Sequence, residues 1–327
     1  MNLYKSLIFI LYLGIFLGSG FRTPAQSRDS ITLYGTLDTV QVIRQRIQHA
    51  NEANAGARVT HISPAILQAN KTRSLAELLT DHTSIYIKSL GTGALSTASF
   101  RGTSASQTRV NWNGINITPP LSGTFDFSQI PVFFTDNINL YYGSSHVKNG
   151  TGAIGGSVNL FTDTDWNRGV NGRVLAEYGS YNTYTVGGQA NISGNKSASK
   201  TRLYYQHSDN DYTYLNKVLT NIPFREKRQD AAYSQFGIMQ EGYFRVSPYT
   251  RLTAVAWYQK NHRNLPQPLG VVNRSQEDQE ENNFRGYAGL DFSRGIHELH
   301  VKAAWLYFCQ TYDIRYDGGL FDPKGNK

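Results

Sequence analysis

The 327-residue sequence holds one cysteine, Cys309, and two methionines, and only 17% of its residues are charged. A single thiol excludes an intramolecular disulfide framework and a cysteine-cluster metal site. Beyond the N-terminus no apolar run approaches the roughly 18–20 residues that a spanning helix needs, which excludes a helical membrane protein. Charge is too sparse, and aromatics at 13% are too frequent, for a disordered chain. The net charge is +8, or +6 once Lys5 and Arg22 are removed with the first 26 residues. Spread so thinly, it suits a polyanionic surface nearby and not a nucleic-acid groove.

Residues 1–26 read as an export signal. Met1 to Lys5 carries one positive charge, Leu7 to Leu17 is apolar, and Thr23-Pro24-Ala25-Gln26 offers a small-residue cleavage site. The other reading is a buried N-terminal helix. No cysteine follows the apolar stretch, so bacterial lipidation there is excluded.

Two halves with different patterning follow. Up to about Asp163 the signals are mixed α and β. Ser63-Pro64 opens a short helix to about Gln68, and Ser74-Leu75-Ala76-Glu77 is a capping box in front of Leu75, Leu78 and Leu79. Strand-like runs are expected at 84–88, 96–101, 108–112, 137–142 and 157–162, with many glycines between them. Glycine at that density implies tight turns or backbone packed closely against something else.

After Asp163 helical signals vanish and most of the tyrosines appear. Seven alternating strands are expected near 171–180, 183–192, 200–208, 233–246, 250–261, 284–293 and 298–310. Each has the length of a tilted bilayer crossing, apolar outside and polar inside. Apart from a tight hairpin near Ser180, short connections (193–199, 247–249, 294–297) alternate with long ones (209–232, 262–283), the asymmetry of outer-membrane barrels. Tyr178, Tyr181, Trp257, Tyr258, Tyr307 and Phe308 cluster near strand ends, where interfacial girdles are expected. A soluble β-sandwich or adhesin module also alternates, and is the competing reading.

No catalytic constellation stands out. Gly150-Thr151-Gly152-Ala153-Ile154-Gly155 matches a dinucleotide fingerprint by letter, but a strand-like run follows it where a phosphate site needs a helix N-terminus. His297 and His300 would point to opposite faces of a strand and make a poor metal site.

Several separated segments together carry a resemblance. Ala76-Glu77-Leu78-Leu79 with Ser84-Ile85-Tyr86-Ile87, Phe100-Arg101-Gly102-Thr103, and Val110-Asn111-Trp112-Asn113-Gly114-Ile115-Asn116-Ile117 come first. Asp126-Phe127-Ser128-Gln129-Ile130-Pro131, Ile138-Asn139-Leu140-Tyr141-Tyr142-Gly143 and Gly152-Ala153-Ile154-Gly155-Gly156-Ser157-Val158 follow in order. This series, over about 35–163, resembles the plug domain of TonB-dependent outer-membrane receptors. Leu95-Ser96-Thr97 before Phe100-Arg101-Gly102 is most similar to the cobalamin-receptor branch. The family usually has an acidic residue where Asn113 stands, and often Arg-Gly-Pro near Tyr142-Gly143-Ser144; that acidic residue and that arginine are missing here.

The resemblance implies an α+β plug domain followed by antiparallel transmembrane β-barrel strands, here a partial barrel of about seven. The corresponding division is 1–26 signal peptide, 27–43 N-terminal segment, 44–163 plug and 164–327 partial barrel. The family's barrel has 22 strands, so a fragment of a longer receptor is expected. The function implied is energy-coupled import of a scarce large solute, cobalamin or an iron-siderophore. Partners would be that small-molecule ligand, outer-membrane lipid and lipopolysaccharide, and periplasmic TonB. A secreted β-rich binding protein without transport remains the alternative from another class.

Site residues follow from the same resemblance. Asp38, Thr39, Val40, Gln41 and Val42 look like a TonB box, an extended segment suited to β-strand addition, although they also suit a first plug strand. Arg101, Gly102, Gly114, Gly143, Gly152, Gly155 and Gly156 are the plug motif, Arg101 lying within the plug or against the wall. Leu95, Ser96 and Thr97, with Thr118, Pro120, Leu121 and Ser122, are candidate ligand contacts at the plug apex; a solvated turn is the other reading of both loops. No cofactor is expected beyond Ca²⁺ in external loops, as in some cobalamin receptors. Asp209 and Asp211 would begin such a site, though two carboxylates fall short of the six to eight oxygens calcium takes.

Overall fold

The computed structural model describes residues 58–143, 153–218, 223–269 and 275–316. The first half begins with strand β1 (Arg58–His61) and helices α1 (Pro64–Ala69) and α2 (Leu75–His82). Ser63 caps α1 with proline at the first turn. At α2 the capping box forms: Ser74 Oγ accepts from Glu77 N, and the Glu77 carboxylate accepts from Ser74 N at 2.8 Å. Leu75, Leu78 and Leu79 are all buried, as the 3.6-residue period requires.

Next come β2 (Tyr86–Ser89) and β3 (Ser96–Ser99), which pair as a hairpin, then β4 (Thr108–Trp112), β5 (Ile115–Asn116), β6 (Asn137–Tyr142) and β7 (Gly156–Phe161). The main sheet of this half has the order β1-β6-β7-β4-β5, with β4 and β7 parallel and the other pairs antiparallel. Two 3₁₀ turns, Phe127–Gln129 and Val132–Phe134, lie between β5 and β6, and every side chain in them is buried. They join Phe100, Val110, Trp112 and the leucines of α2 in one core.

The second half is a seven-stranded antiparallel sheet of β8 (Gly169–Gly179), β9 (Thr183–Ser193), β10 (Ser197–Ser208), β13 (Tyr233–Ser247), β14 (Thr250–Asn264), β15 (Ser275–Arg294) and β16 (His297–Tyr316). Strands β11 (Thr213–Asn216) and β12 (Phe224–Lys227) form a separate hairpin inside the first long connection. The tight β8–β9 turn places Tyr181 and Asn182 at φ +59° and +51°, the paired left-handed residues that match strand twist.

Alternation sorts the two faces. On β13, Tyr233, Gln235, Met239, Glu241 and Tyr243 are buried, while Phe236, Ile238 and Phe244 are exposed. Val170, Val174, Val186, Ile192, Leu203, Leu252, Val301, Trp305 and Tyr307 extend that exposed apolar face across the sheet. An apolar patch of this extent is unlike the surface of a soluble monomer and suits lipid.

Two expectations need correction. The connection expected over 262–283 is mostly strand: β14 continues to Asn264 and β15 starts at Ser275, in unbroken register with its neighbours. The hydrophobic alternation stops there because outward positions become polar, while Lys260–Glu280 (2.9 Å) and Arg315–Asp278 (2.6 Å) pairs support a ladder that continues. Likewise, Trp257 and Phe308 are not girdle residues. Each adjoins an outward aromatic, Tyr258 or Tyr307, so the two-residue period turns it inward; Trp257 is 1% exposed.

Candidate functional site: the interface between the two halves

The inward face of the seven-stranded sheet is a wall, and the first half packs on it through three kinds of contact. Phe133 and Phe134 lie against Tyr204, with centroids 5.8 and 6.1 Å apart, and Phe134 against Trp257 at 5.3 Å. Trp112 meets Trp257 at 5.4 Å and Tyr287 at 5.3 Å. Gly237 makes room, since a Cβ there would stand 2.6 Å from Phe134 Cζ. The indole N–H groups of Trp112 and Trp257 have no hydrogen-bond partner among the described residues, so ring packing and the Arg285 guanidinium over Trp257 (4.4 Å) hold this aromatic contact.

Amides from successive wall strands grip the 127–129 turn. Gln235 Nε2 donates to Ser128 O at 2.9 Å and Gln259 Nε2 to Gln129 O. The Gln129 side chain accepts from Asn261 Nδ2 (3.1 Å) and donates to Glu281 (2.7 Å). These groups are buried, where an unpaired amide is costly, so each bond restricts where the turn can sit.

Ion pairs bracket this grip. Arg263 binds Asp126 at 2.7 Å, and Asp126 also accepts the backbone N–H of Ser96, tying the β2–β3 hairpin to the wall through one carboxylate. At the other side Asp136 accepts from Lys200 (2.9 Å), from the fully buried Arg202, and from the N–H of Asp163 at 3.0 Å. Arg202 also lies 3.3 Å from Glu241, which accepts the Tyr243 hydroxyl at 2.5 Å. Burial works to raise the Asp136 pKa, but Arg202 and Lys200 outweigh it and hold the carboxyl at about 2. Lys71 donates to Thr135 O (2.5 Å) and Val132 O (3.4 Å); burial pulls its ammonium down to about 8.

The motif residues fall inside the first half. Gly114 at φ +83° closes the β4–β5 turn, beside Asn113 at +49°. Asn113 ties that turn to Thr162, and its carbonyl accepts from Lys302 of the wall at 2.6 Å. Gly156 brings β7 against Phe100, where a Cβ would stand 2.5 Å from Tyr141 O. Gly155 O accepts from Gly143 N at 2.9 Å. Arg101 and Gly102 form the turn after β3; Arg101 is exposed and reaches toward Gly143, away from the wall contacts described above.

Of the candidate ligand contacts, Ser96 is buried and hydrogen-bonds to Ser89 at 2.9 Å, while Leu95 is exposed. Thr97 lies half-buried on β3, where it pairs with Lys88. Thr118 accepts from Val110 N at 3.4 Å, whereas Pro120, Leu121 and Ser122 stand in solvent, Leu121 at 95% exposure. Asp209 pairs with His207 (3.1 Å) and Asp211 with Lys227, and no group of three acidic, histidine or cysteine residues fit for a metal occurs among the described residues. The export signal, the segment Asp38–Val42 and Gly152 lie outside the described residues.

Sequence reading singled out neither Asp136 nor the inward amides of the wall. The available signal was parity: Gln235, Gln259 and Arg285 lie on the phase opposite Phe236, Tyr258 and Phe284, and Asn261 and Arg263 continue the phase of Gln259.

Comparison with known proteins agrees with this arrangement. Residues 51–157 match the family described as TonB-dependent Receptor Plug Domain. The vitamin B12 transporter BtuB of Photobacterium profundum is 32% identical over 135 residues, 41% of this chain and 22% of that protein. BtuB of Vibrio cholerae (strain M66-2) is also 32% identical, over 38% of this chain and 20% of its own length. The chain therefore spans about a fifth of the length of these relatives. Among solved structures, the ferric-catecholate import receptor Fiu of E. coli K12 aligns over 80% of this chain and 40% of its own, with TM-score 0.62 and 12% identity. The siderophore receptor PiuA of Acinetobacter baumannii aligns over 78% and 37%, with TM-score 0.60 and 18% identity; both likenesses concern the fold. Residues 51–157 thus match the plug domain of TonB-dependent receptors, and they pack on a seven-stranded sheet in a fold similar to that of the solved receptors named above.

Proposed function

We propose that this chain is the plug and adjoining wall of an outer-membrane receptor that imports a scarce, large solute, a cobalamin or related corrinoid, by TonB-coupled transport. The observation that carries the reading is a domain sealed to the polar face of a sheet whose other face is broadly apolar. A lumen kept shut by hydrogen bonds and ion pairs suits regulated passage better than a permanently open pore. A stretch of 135 residues is 32% identical to a vitamin B12 transporter, which favours a corrinoid over other solutes. A ferric siderophore is the second reading, because the structural neighbours include siderophore receptors.

In this reading residues 1–26 direct export, Asp38–Val42 add a strand to the sheet of TonB, and lipid and lipopolysaccharide surround the wall. The role is transport, not catalysis. Exposed Leu95 and Leu121 would meet the solute, and Ca²⁺ would order the loop at Asp209 and Asp211 in the manner of some cobalamin receptors. Binding of cyanocobalamin and of ferric siderophores to the receptor in its native outer membrane tests the solute. Val40→Pro, which removes a backbone N–H, is expected to abolish uptake and spare binding. Equal uptake by this variant would overturn the TonB assignment, and detergent-free solubility of the native protein would favour the secreted alternative.

A further inference from the structure

The contact between plug and wall is not uniform. Along the 126–136 segment it is dry, made of aromatic packing, buried amides and the Asp136 ion pairs. Along α2 and the β2–β3 hairpin it is a cavity of about 160 Å³, lined on the plug side by groups such as Ala76, Glu77 and Thr80 and on the wall side by Gln206, Tyr233 and Gln235. That volume holds on the order of five waters, and a lining of hydroxyls, carboxylates and amides keeps them there.

The charged groups that α2 turns toward the cavity are satisfied within the plug. Arg73 pairs with Asp81 at 2.6 Å, and Glu77 is taken up by the Ser74 capping box. Helix α2 therefore presents a polar face to the wall without being bonded to it there. At the margins, Asn210 Nδ2 donates to Thr92 O (2.9 Å), the Tyr204 hydroxyl to Thr72 O (3.0 Å) and Gln235 to Ser128 O, Gly93 packs on the ring of Tyr233, and the hairpin reaches Arg263 through the Ser96–Asp126 bond. Separating the two sides of this seam breaks fewer hydrogen bonds than opening the 126–136 side and uncovers chiefly the ring of Tyr233, and its polar lining is suited to holding water. Opening the 126–136 side would uncover a buried ion cluster and the rings of Phe133, Phe134, Tyr204 and Trp257.

We infer that the hydrated seam between α2, with the β2–β3 hairpin, and wall strands β10 and β13 is where the plug first parts from the wall, and that the solute's path begins there while the 126–136 segment stays seated. The inference rests on the transport reading and adds the place at which the barrier opens.

The test is labelling by a small membrane-impermeant maleimide in cells that carry the receptor in the Cys309→Ser background. Ala76→Cys lies in the seam and Val132→Cys on the dry side; cyanocobalamin flux is measured in the same cells. During energised uptake, labelling at position 76 should rise at least tenfold while position 132 stays protected. Gln206→Cys, on the wall side of the cavity, reads the same opening should Ala76→Cys not fold. Flux with an equal rise at 76 and 132, a rise at 132 alone, or no rise at either overturns the inference and leaves the transport reading intact. Absence of any energised flux of cyanocobalamin or ferric siderophore in the unsubstituted receptor overturns the transport reading and this inference with it.

Discussion

Trp112 of the plug and Trp257 of the wall meet with their ring centroids 5.4 Å apart, at an interplanar angle of 59°. Both rings are buried, whereas Trp166 is half-buried beneath Arg245 and Trp305 lies exposed. One pair of residues therefore reports whether plug and wall are docked. Trp257→Ala is expected to destabilise the docked state by about 3–5 kcal/mol, through lost area and the cavity left behind. Trp257→Phe should cost clearly less. Unfolding in detergent followed by tryptophan emission measures both, and equal losses for the two variants would rule out ring packing as the cause.

Asp136→Asn leaves Lys200 and Arg202 buried beside an uncharged partner. Breaking such a cluster on one side typically costs about 3–5 kcal/mol, because the remaining charges stay out of water. Glu241 remains near Arg202, which favours the lower end of that range. Thermal unfolding of Asp136→Asn against the unsubstituted protein is the measurement; a change under about 1 kcal/mol would mean that solvent screens the cluster as it does a surface pair.

Acid should loosen the interface through the same group. The Asp136 carboxyl titrates near 2 in the folded chain and near 3.8 when unfolded. Its stabilisation is complete above about pH 5, fades as pH falls through 4 and 3, and is gone once the folded carboxyl protonates near pH 2. The amount at stake is on the order of 2 kcal/mol at neutral pH. Comparing stability at pH 3 and pH 6 in Asp136→Asn and in the unsubstituted protein isolates it: the slope should be shallower in the variant.

Lys71 predicts a further rise of stability with pH, in alkali. Its ammonium titrates near 8 when folded and near 10.5 when unfolded, so between those values the unfolded chain binds the extra proton. Stability contributed by this site therefore rises from about pH 8 to 10.5 and is flat below pH 7. Lys71→Met, which removes the buried charge at similar volume, should abolish that rise. A rise of the same size in Lys71→Met would assign it elsewhere.

Gly237→Val should prevent Phe134 from seating, because a Cβ at 237 would overlap the ring of Phe134 at 2.6 Å. The expected outcome is a chain whose wall assembles but whose plug is protease-sensitive. Phe134→Ala in the same chain should restore protection in part by opening the space. Full protection in the single Gly237→Val variant would count against the close approach.

Local order was legible from the sequence because its signals are short-range. Ser74 and Glu77 are three residues apart and build their own capping box; Leu75, Leu78 and Leu79 share a helix face by spacing alone. The seven wall strands followed from a two-residue period, and the ordered plug segments carried the family resemblance. The upper parts of β14 and β15 were missed because they lack apolar alternation and are held by cross-strand pairs such as Lys260–Glu280. Trp257 was misassigned because composition counts aromatics without regard to parity.

The sequence by itself determined the capped helices, the strand faces and the two-part organisation, since each rests on neighbours within a few positions along the chain. Tertiary structure alone decided that Asp136 serves Lys200 and Arg202, residues more than sixty positions away. It alone set the 127–129 turn under Gln235 and Gln259, and left a polar-lined cavity beside α2. A buried charge or amide takes whatever partner the fold brings within about 3 Å, and no pattern along one strand encodes which residue of a distant segment that will be.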